Sequence, residues 1–456
     1  MADVVNMTAV QQAAAAQQAS AAQQAAAAQQ AAAAQQAAPA QQAAPAKKPK
    51  KVSPAMEKLK ALVVESYANS WAAKNRGELV GWSTSKFPCE IWAAFDLNVV
   101  YPENLAAAVA AQHDGERLCD IAVDYGYDAD MCAYERINLA MAHGHDTRAT
   151  KHFPQPDFVV SCNNGCNCFT KWYETLARIR DIPMVYLDIP YHNTTGLDEG
   201  EVKFVREQFD ICIHQLEEIT GKKFDEKKFE EACAIANRNS HLWSEVCRMC
   251  EYKPSPMNGF DLFTYMANMI VMRCDPRVGE VFEELLAELH ENVRKGESNL
   301  PYKEEYRIMM EGIPCWGNLR DLFKPLKKYG MNVTAVVYAP AFGFEYSNLD
   351  EMAQSYARTA GAVCLEEGTE WRRQLCVDNK VDGILVHYNR SCKAWSGYMA
   401  EMQRRWEKEL GIPCVGFDGD QADARVFNAA NYETKAQGLA EAMAANRAKK
   451  EAEANA

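Results

Sequence analysis

Apolar positions along the chain gather into short, nearly continuous runs. Four lie in the N-terminal part: Leu79-Val80-Gly81-Trp82, Leu97 to Tyr101, Phe158 to Cys162 and Ile182 to Asp188. Four more return at Tyr306 to Met310, Met331 to Tyr338, Val381 to His387 and Ile412 to Phe417. Such runs, bounded by turn residues, predict strands buried on both faces. Helical spacing fills the stretches between them, and alternation of strand with helix signals parallel βαβ units. Ser53-Pro54 reads as an N-cap with Pro at the first helical position, opening a helix to about Asn75. Thr84 to Phe87 reads as a loop and Cys89 to Phe95 as a helix. From about Glu199 to Lys295 the strand signal vanishes and long helical periods take over, as at Phe224 to Cys250 and Phe260 to Met272. A last helix starts near Tyr432 and frays into a charged tail.

The pattern repeats. Asp157-Phe-Val-Val-Ser-Cys162-Asn-Asn-Gly-Cys166-Asn-Cys168 is answered by Asp382-Gly-Ile-Leu-Val-His-Tyr-Asn-Arg-Ser-Cys392-Lys, and each copy is followed by an Ile-Pro strand ending on aspartate, Asp188 or Asp418. The expected organisation is an α/β lobe at 53–198, a helical region at 199–300, and a second α/β lobe with a C-terminal helix at 301–456. Each copy puts a thiol at the carboxyl end of a strand, the edge where open α/β sheets bind ligands. Two such edges facing each other form a cleft.

Composition refines this picture at three points. The 456 residues predict two or three domains, and a hydrophobic share of 48% supports a large core. A net charge of −13 argues against a nucleic-acid partner and leaves room for CoA or a nucleotide, which need only a few local cations. From Val10 to Ala46 the chain is Ala and Gln, interrupted by Pro39 and Pro45 and followed by Lys47-Lys-Pro-Lys-Lys51, so residues 1–52 are expected to be a disordered tail. The 16 cysteines are scattered, no secretory signal precedes them, and no apolar run is long enough for a bilayer. A cytoplasmic protein without a membrane partner is expected.

Most of these cysteines are expected to be small buried hydrophobes. Cys162 and Cys392 differ, because each sits in a polar turn at a strand end. Cys132, in Asp128-Ala-Asp-Met-Cys132, falls at a helix start, where backbone N–H groups favour a thiolate. Three thiolates converging on a cleft suggest a soft metal or an iron–sulfur cluster with one open position. Cys166 and Cys168 compete with Cys162, and spacing does not decide among them. Cys247-Arg-Met-Cys250 lies in a helical run and reads as packing. The loop around Ser83-Thr-Ser85 can either hydrogen-bond a substrate oxygen or cap the next helix. Glu103, after the next strand, reads as a cleft acid or base, or as a helix-start carboxylate. Asp418-Gly-Asp420-Gln-Ala-Asp423 is expected to be a solvated turn. No G-x-G-x-x-G or P-loop is present, so neither NAD binding nor ATP hydrolysis by this chain is expected.

Several of these segments together resemble the 2-hydroxyacyl-CoA dehydratase family, which includes benzoyl-CoA reductase subunits. They are Gly81-Trp-Ser-Thr-Ser85, Tyr101-Pro-Glu-Asn104, Cys162-Asn-Asn, Met257-Asn-Gly-Phe-Asp-Leu-Phe263, Glu311-Gly-Ile-Pro-Cys-Trp316, His387-Tyr-Asn-Arg-Ser-Cys-Lys393 and Gly416-Phe-Asp-Gly-Asp-Gln-Ala-Asp423. The resemblance runs from about Ser53 to the C-terminal region, and its Gly-Trp-Ser-Thr-Ser form is similar to the α-type, substrate-carrying subunit. It implies two Rossmann-like lobes with parallel sheets and a cluster in the cleft between them. It further implies a [4Fe–4S] cluster on Cys132, Cys162 and Cys392, with Ser85 bonded to the substrate or to the ligand on the open iron. Glu103 would help remove the hydroxyl group, and Asn163 matches without a role. Arg390, read from its strand-end turn, is either a partner for a distal substrate carboxylate or a structural residue of that turn.

The implied reaction is reversible, syn-type loss of water from an (R)-2-hydroxyacyl-CoA, such as 2-hydroxyglutaryl-CoA or lactoyl-CoA. One electron turns the thioester carbonyl into a ketyl radical anion. That species expels the α-hydroxide, the resulting enoxy radical loses its acidified β-hydrogen as a proton, and the electron then returns. The implied partners are a β-type subunit, forming a heterodimer, and an ATP-hydrolysing iron–sulfur activator, both under anaerobic conditions. A benzoyl-CoA-reductase-like subunit and a non-enzymatic two-lobed binding module are the alternatives.

Overall fold

A computed structural model describes residues 53–455, and the expected Ala/Gln tail lies outside the described residues. Val80–Ser83 (β1), Asn98–Val100 (β2), Phe158–Cys162 (β3) and Met184–Leu187 (β4) form a parallel sheet in the order β2-β1-β3-β4. Tyr306–Glu311 (β5), Met331–Ala335 (β6), Gly383–Asn389 (β7) and Cys414–Gly419 (β8) form a second parallel sheet, ordered β6-β5-β7-β8. The two orders are equivalent, so the sequence repeat is a repeat of topology. The fold is α/β with two Rossmann-like sheets. In each, the order reverses between the first and third strands, β1 and β3 or β5 and β7, and such a switch point is where open sheets bind ligands.

The apolar runs form strands because both faces are covered. Alternate side chains of β3 enter different cores: Phe158, Val160 and Cys162 pack with Phe87, Val185 and Leu187, while Val159 packs with Trp82 and Trp172. Between the sheets run the helices Glu199–Thr220, Glu226–Arg248, Leu262–Val271 and Pro276–Lys295. Their boundaries follow local chemistry. Asp198, Asp225 and Asp275 accept the first free N–H groups, and Gly221 and Gly296 take the left-handed conformation that ends a helix. The described residues form one compact unit, and among them no helix is long and apolar enough to cross a membrane.

Two expectations change. The strand expected to reach Tyr338 ends at Ala335, after a register shift between Ile308 and Met309 in its neighbour β5. This frees Tyr338 to enter the cleft. The loop Asp418 to Asp423 is not a solvated turn. Asp420 and Asp423 are buried, and Asp420 accepts from the N–H groups of Ser391, Ala422 and Asp423. Acceptance of several backbone N–H groups offsets the cost of burying that carboxylate.

Buried ion pairs lock the framework. Arg136 in the first lobe meets Asp423 in the second at 3.3 Å, and Arg372 meets Glu311 at 2.9 Å with both side chains wholly buried. Glu311 also accepts from the Trp395 indole N–H at 3.0 Å. Glu311→Ala strands the Arg372 guanidinium without its counter-charge. We expect a loss of about 3–5 kcal/mol in unfolding free energy, measured by urea titration, as for other broken buried pairs.

Candidate functional site

The carboxyl ends of both sheets open on a shared cleft. The loop after β1 supplies Ser85 and Lys86, the helix start after β2 supplies Glu103, and the loop after β3 supplies Gly165, Cys166 and Cys168. From the second sheet come Ile313 after β5, Tyr338 after β6, Cys392 and Trp395 after β7, and Gln421 after β8. Cys132 and Tyr134 enter from the start of the helix Ala133–Ala142. The two lobes touch at Gly165 and Gly361. A Cβ on Gly361 would lie 2.8 Å from the Gly165 carbonyl oxygen, so this approach requires glycine.

Of the three thiols carried over from the resemblance, Cys132 and Cys392 line the cleft and Cys162 does not. Cys162 is wholly buried in the core on one face of β3, its sulfur 3.3 Å from Thr84 Oγ1 and 3.1 Å from Asn164 Oδ1. The reason is strand alternation: Cys162 shares its face with Phe158 and Val160. Past the Asn-Asn-Gly turn, Cys166 and Cys168 reach the cleft in its place, and the Cys168 N–H donates to Cys166 Sγ at 3.4 Å. The neighbouring Asn163 bridges strand ends: its amide donates to Asp188 and its oxygen accepts from the Ile189 N–H.

Cys132 and Cys392 are tied together by backbone and loop. Cys132 is the N-cap residue of its helix, and the next N–H, of Ala133, donates to Ser391 Oγ at 3.0 Å. The Gln421 amide donates to Cys132 Sγ at 3.2 Å. Gln421 is itself positioned by the buried Asp420 loop. Burial and then the neighbouring Cys392 push the Cys132 thiol well up, and burial pushes Cys392 up to about 12. Cys166 is raised by its hydrogen bond with Cys168 and by burial, and the same bond lowers Cys168 to about 7. Clustered buried thiols of this kind stay protonated until a cation compensates them. Soft sulfur donors suit an iron–sulfur cluster, and Cys132 and Cys392 together with Cys166 or Cys168 present such donors to the cleft from both lobes.

Facing the thiols, Glu103 accepts from the Ser85 N–H at 2.7 Å and from the Ser85 hydroxyl at 2.9 Å. The hydroxyls of this loop are not spent on capping. The following helix begins after Pro88, with no side-chain cap. Burial raises the Glu103 carboxyl to about 7, against the lowering effect of Ser85 and Lys86. A carboxyl in that range can give or take a proton at neutral pH. A second cavity, lined by Ala107, Ala108, Phe263 and Ile270, meets the first at Ser85, Glu103, Tyr134 and Tyr338. Arg390 lies elsewhere: it is exposed, 3.8 Å from Asp130, and outside the cleft lining.

Two other thiol groups are part of the framework. Cys250 is wholly buried and Cys247 packs beside it in the core. Cys89, Glu90 and Cys274 also converge, but the Glu90 carboxylate is held by Arg273 at 2.7 Å and by the Tyr346 hydroxyl at 2.9 Å. The sequence reading overlooked Lys86, Tyr134, Tyr338 and Gln421. For Lys86 a signal existed, a lone cation in a hydroxyl-rich strand-end loop. Tyr338 gave none, because it extends an apolar run.

The family described as 2-hydroxyglutaryl-CoA dehydratase, D-component, matches residues 84–443. The chain is 48% identical to the (R)-2-hydroxyglutaryl-CoA dehydratase subunit alpha of Acidaminococcus fermentans, over 88% of this chain and 99% of that one. It is 47% identical to the (R)-phenyllactyl-CoA dehydratase alpha subunit of Clostridium sporogenes, over 84% and 93%. A benzoyl-CoA reductase polypeptide of Thauera aromatica is more distant, 25% identical over 84% and 92%.

Proposed function

The chain belongs to the 2-hydroxyglutaryl-CoA dehydratase family, and from that premise we propose that it is the α-type, substrate-carrying subunit of a 2-hydroxyacyl-CoA dehydratase, a hydro-lyase. The observation that supports this best is the cleft: thiols from both lobes face a serine-held carboxyl that titrates near neutrality. The reaction is removal of water from an (R)-2-hydroxyacyl-CoA to give the 2-enoyl-CoA by way of the ketyl radical anion of the thioester. The greater distance from the benzoyl-CoA reductase relative favours dehydration over ring reduction.

Cys132, Cys166 and Cys392 would hold a [4Fe–4S] cluster. When bound, it supplies a Lewis-acidic iron free of cysteine and a path for an electron. Everything else falls to the chain's own side chains. Ser85 fixes the Glu103 carboxyl through two hydrogen bonds. Protonated Glu103 gives its proton to the departing α-hydroxyl, and the carboxylate so formed takes up the β-proton, so that the carboxyl ends as it began; the reverse direction runs the same two transfers backwards. Phe169, Trp172 and Trp395 exclude water from this space. The second cavity, opening at Glu103 and walled by small alanines, accepts the neutral pantetheine arm. A β-type subunit and a separate ATP-dependent activator complete the system, and the site of action is the cytoplasm.

The test is direct. The chain, purified without oxygen together with its β-type subunit and activator, is expected to convert (R)-2-hydroxyglutaryl-CoA or lactoyl-CoA to the enoyl-CoA, followed by mass spectrometry. Reduction of benzoyl-CoA with no dehydration of any 2-hydroxyacyl-CoA would replace this reading with the reductase one. Colourless, iron-free, well-folded protein would favour a binding module.

A further inference from the structure

Lys86 is the one cation lining the cleft among the described residues. Its ammonium donates to the Ala341 carbonyl and lies 4.4 Å and 4.8 Å from the ring centroids of Phe342 and Phe344. Among the described residues no carboxylate pairs with it. Glu103, the other charge in the cleft, is held by Ser85. The lysine stem packs over Gly165, beside Cys166: a Cβ on Gly165 would lie 3.1 Å from Lys86 Cγ. Burial and then Arg273 weaken the lysine's hold on its proton, and Glu103 opposes this only across the cleft without an ion pair, so a sequestered ammonium here is costly unless a ligand carboxylate pairs with it.

Resting on the acyl-CoA reading above, we propose that Lys86 determines specificity by pairing with a carboxylate at the far end of the acyl chain. The substrate is then a dicarboxylic 2-hydroxyacyl-CoA. The reacting carbons have to lie between the thiols and Glu103, so the part of the substrate that also reaches Lys86 is the acyl chain. A phenyl or branched alkyl end would suit the aromatic walls but leave the ammonium desolvated and unpaired. The phosphates of CoA carry several charges, and one lysine set against two phenylalanines does not match them. Arg390, exposed beside Asp130, is not placed to compete.

The experiment uses non-reactive ligands, so it reads binding independently of turnover. Glutaryl-CoA and its neutral isostere 5-methylhexanoyl-CoA are titrated by calorimetry into the anaerobic holoenzyme, its Lys86→Met variant and its Lys86→Arg variant. Wild type is expected to prefer glutaryl-CoA. Lys86→Met should weaken glutaryl-CoA by about 30-fold or more, the loss typical of a truncated charge pair, and shift preference toward the isostere. Lys86→Arg should restore most of the preference. Equal affinity of wild type for the two ligands overturns the proposal, even if Lys86→Met does not fold. An equal fall for both ligands in Lys86→Met overturns it too. Binding of the isostere without glutaryl-CoA overturns it as well, whereas failure of both ligands to bind wild type would instead remove the acyl-CoA reading on which it rests.

Discussion

Cys166→Ser is expected to strip iron from the anaerobically purified protein, whereas Cys162→Ser leaves it in place. In the parent, colorimetric iron and acid-labile sulfide should give about four of each per cluster-bearing chain, with a brown absorbance. Cys132→Ser and Cys392→Ser should behave like Cys166→Ser, and dehydration should fall by more than the 10–100-fold that loss of an outer partner costs (an order-of-magnitude figure). The contrast rests on where each sulfur lies. Cys166 lines the cleft with Cys132 and Cys392, while Cys162 is wholly buried against Thr84 and Asn164 and is not among the residues that line it. Iron retained in Cys166→Ser and lost in Cys162→Ser would reverse the assignment. Loss in Cys168→Ser alone would move it two residues along, to the start of the next helix.

Glu103→Gln is expected to lower kcat by about 10²–10⁴-fold, the range for loss of a positioned proton donor. Ser85→Ala should cost less, because it removes one of two bonds and leaves the backbone N–H in place. The pH dependence follows from the raised carboxyl. Burial lifts Glu103 from an ordinary 4.5 to about 7, so it carries its proton below neutrality and loses it above. If it protonates the leaving hydroxyl, kcat/KM for dehydration falls as pH rises through about 7, and Glu103→Gln loses that limb. The stability linkage has the same sign. The folded state holds this proton more tightly than the unfolded chain between about 4.5 and 7, so its contribution is present at low pH and declines as pH rises across that window. A pH profile unchanged by Glu103→Gln would assign the proton transfer to another group.

These effects are large because the cleft is built from side chains that have no other task. Ser85 does not cap its helix, and Lys86 has no carboxylate partner among the described residues. By contrast Glu90 and Cys89, in the first turn of the next helix, are absorbed in packing with Arg273 and Cys274. The same segment therefore supplies both chemistry and framework, and only the partners distinguish them.

The sequence by itself determined the local elements and their kind. Apolar runs bounded by turns marked the strands at 80–83, 158–162, 306–311 and 414–419, because a strand covered on both faces is mostly apolar and carries a charge only where a partner meets it, as Arg372 meets Glu311. The helix at Pro54–Asn75 was legible from its Ser-Pro start, since capping is a local event. The repeated strand-end cysteines pointed to a cleft for the same reason: topology places strand carboxyl ends together. Cys392 was legible on that basis and Cys132 from its helix start, while Ser85 and Glu103 were legible as candidates with a capping or helix-start alternative; all four line the cleft.

What only the tertiary structure decided was which side of an element faced the cleft, and what lay opposite. Cys162 and Cys166 are separated by the Asn-Asn-Gly turn, and spacing cannot say which sulfur the turn presents. The answer depends on the core that Phe158 and Val160 already occupy. Asp420 looked solvated because nothing local reveals that N–H groups from two loops will bury it. Lys86 and Arg390 are alike as charges in a sequence. One is enclosed by Phe342 and Phe344, which lie far along the chain, and the other is left in water, because burial is settled by contacts between the lobes and not by the residues on either side.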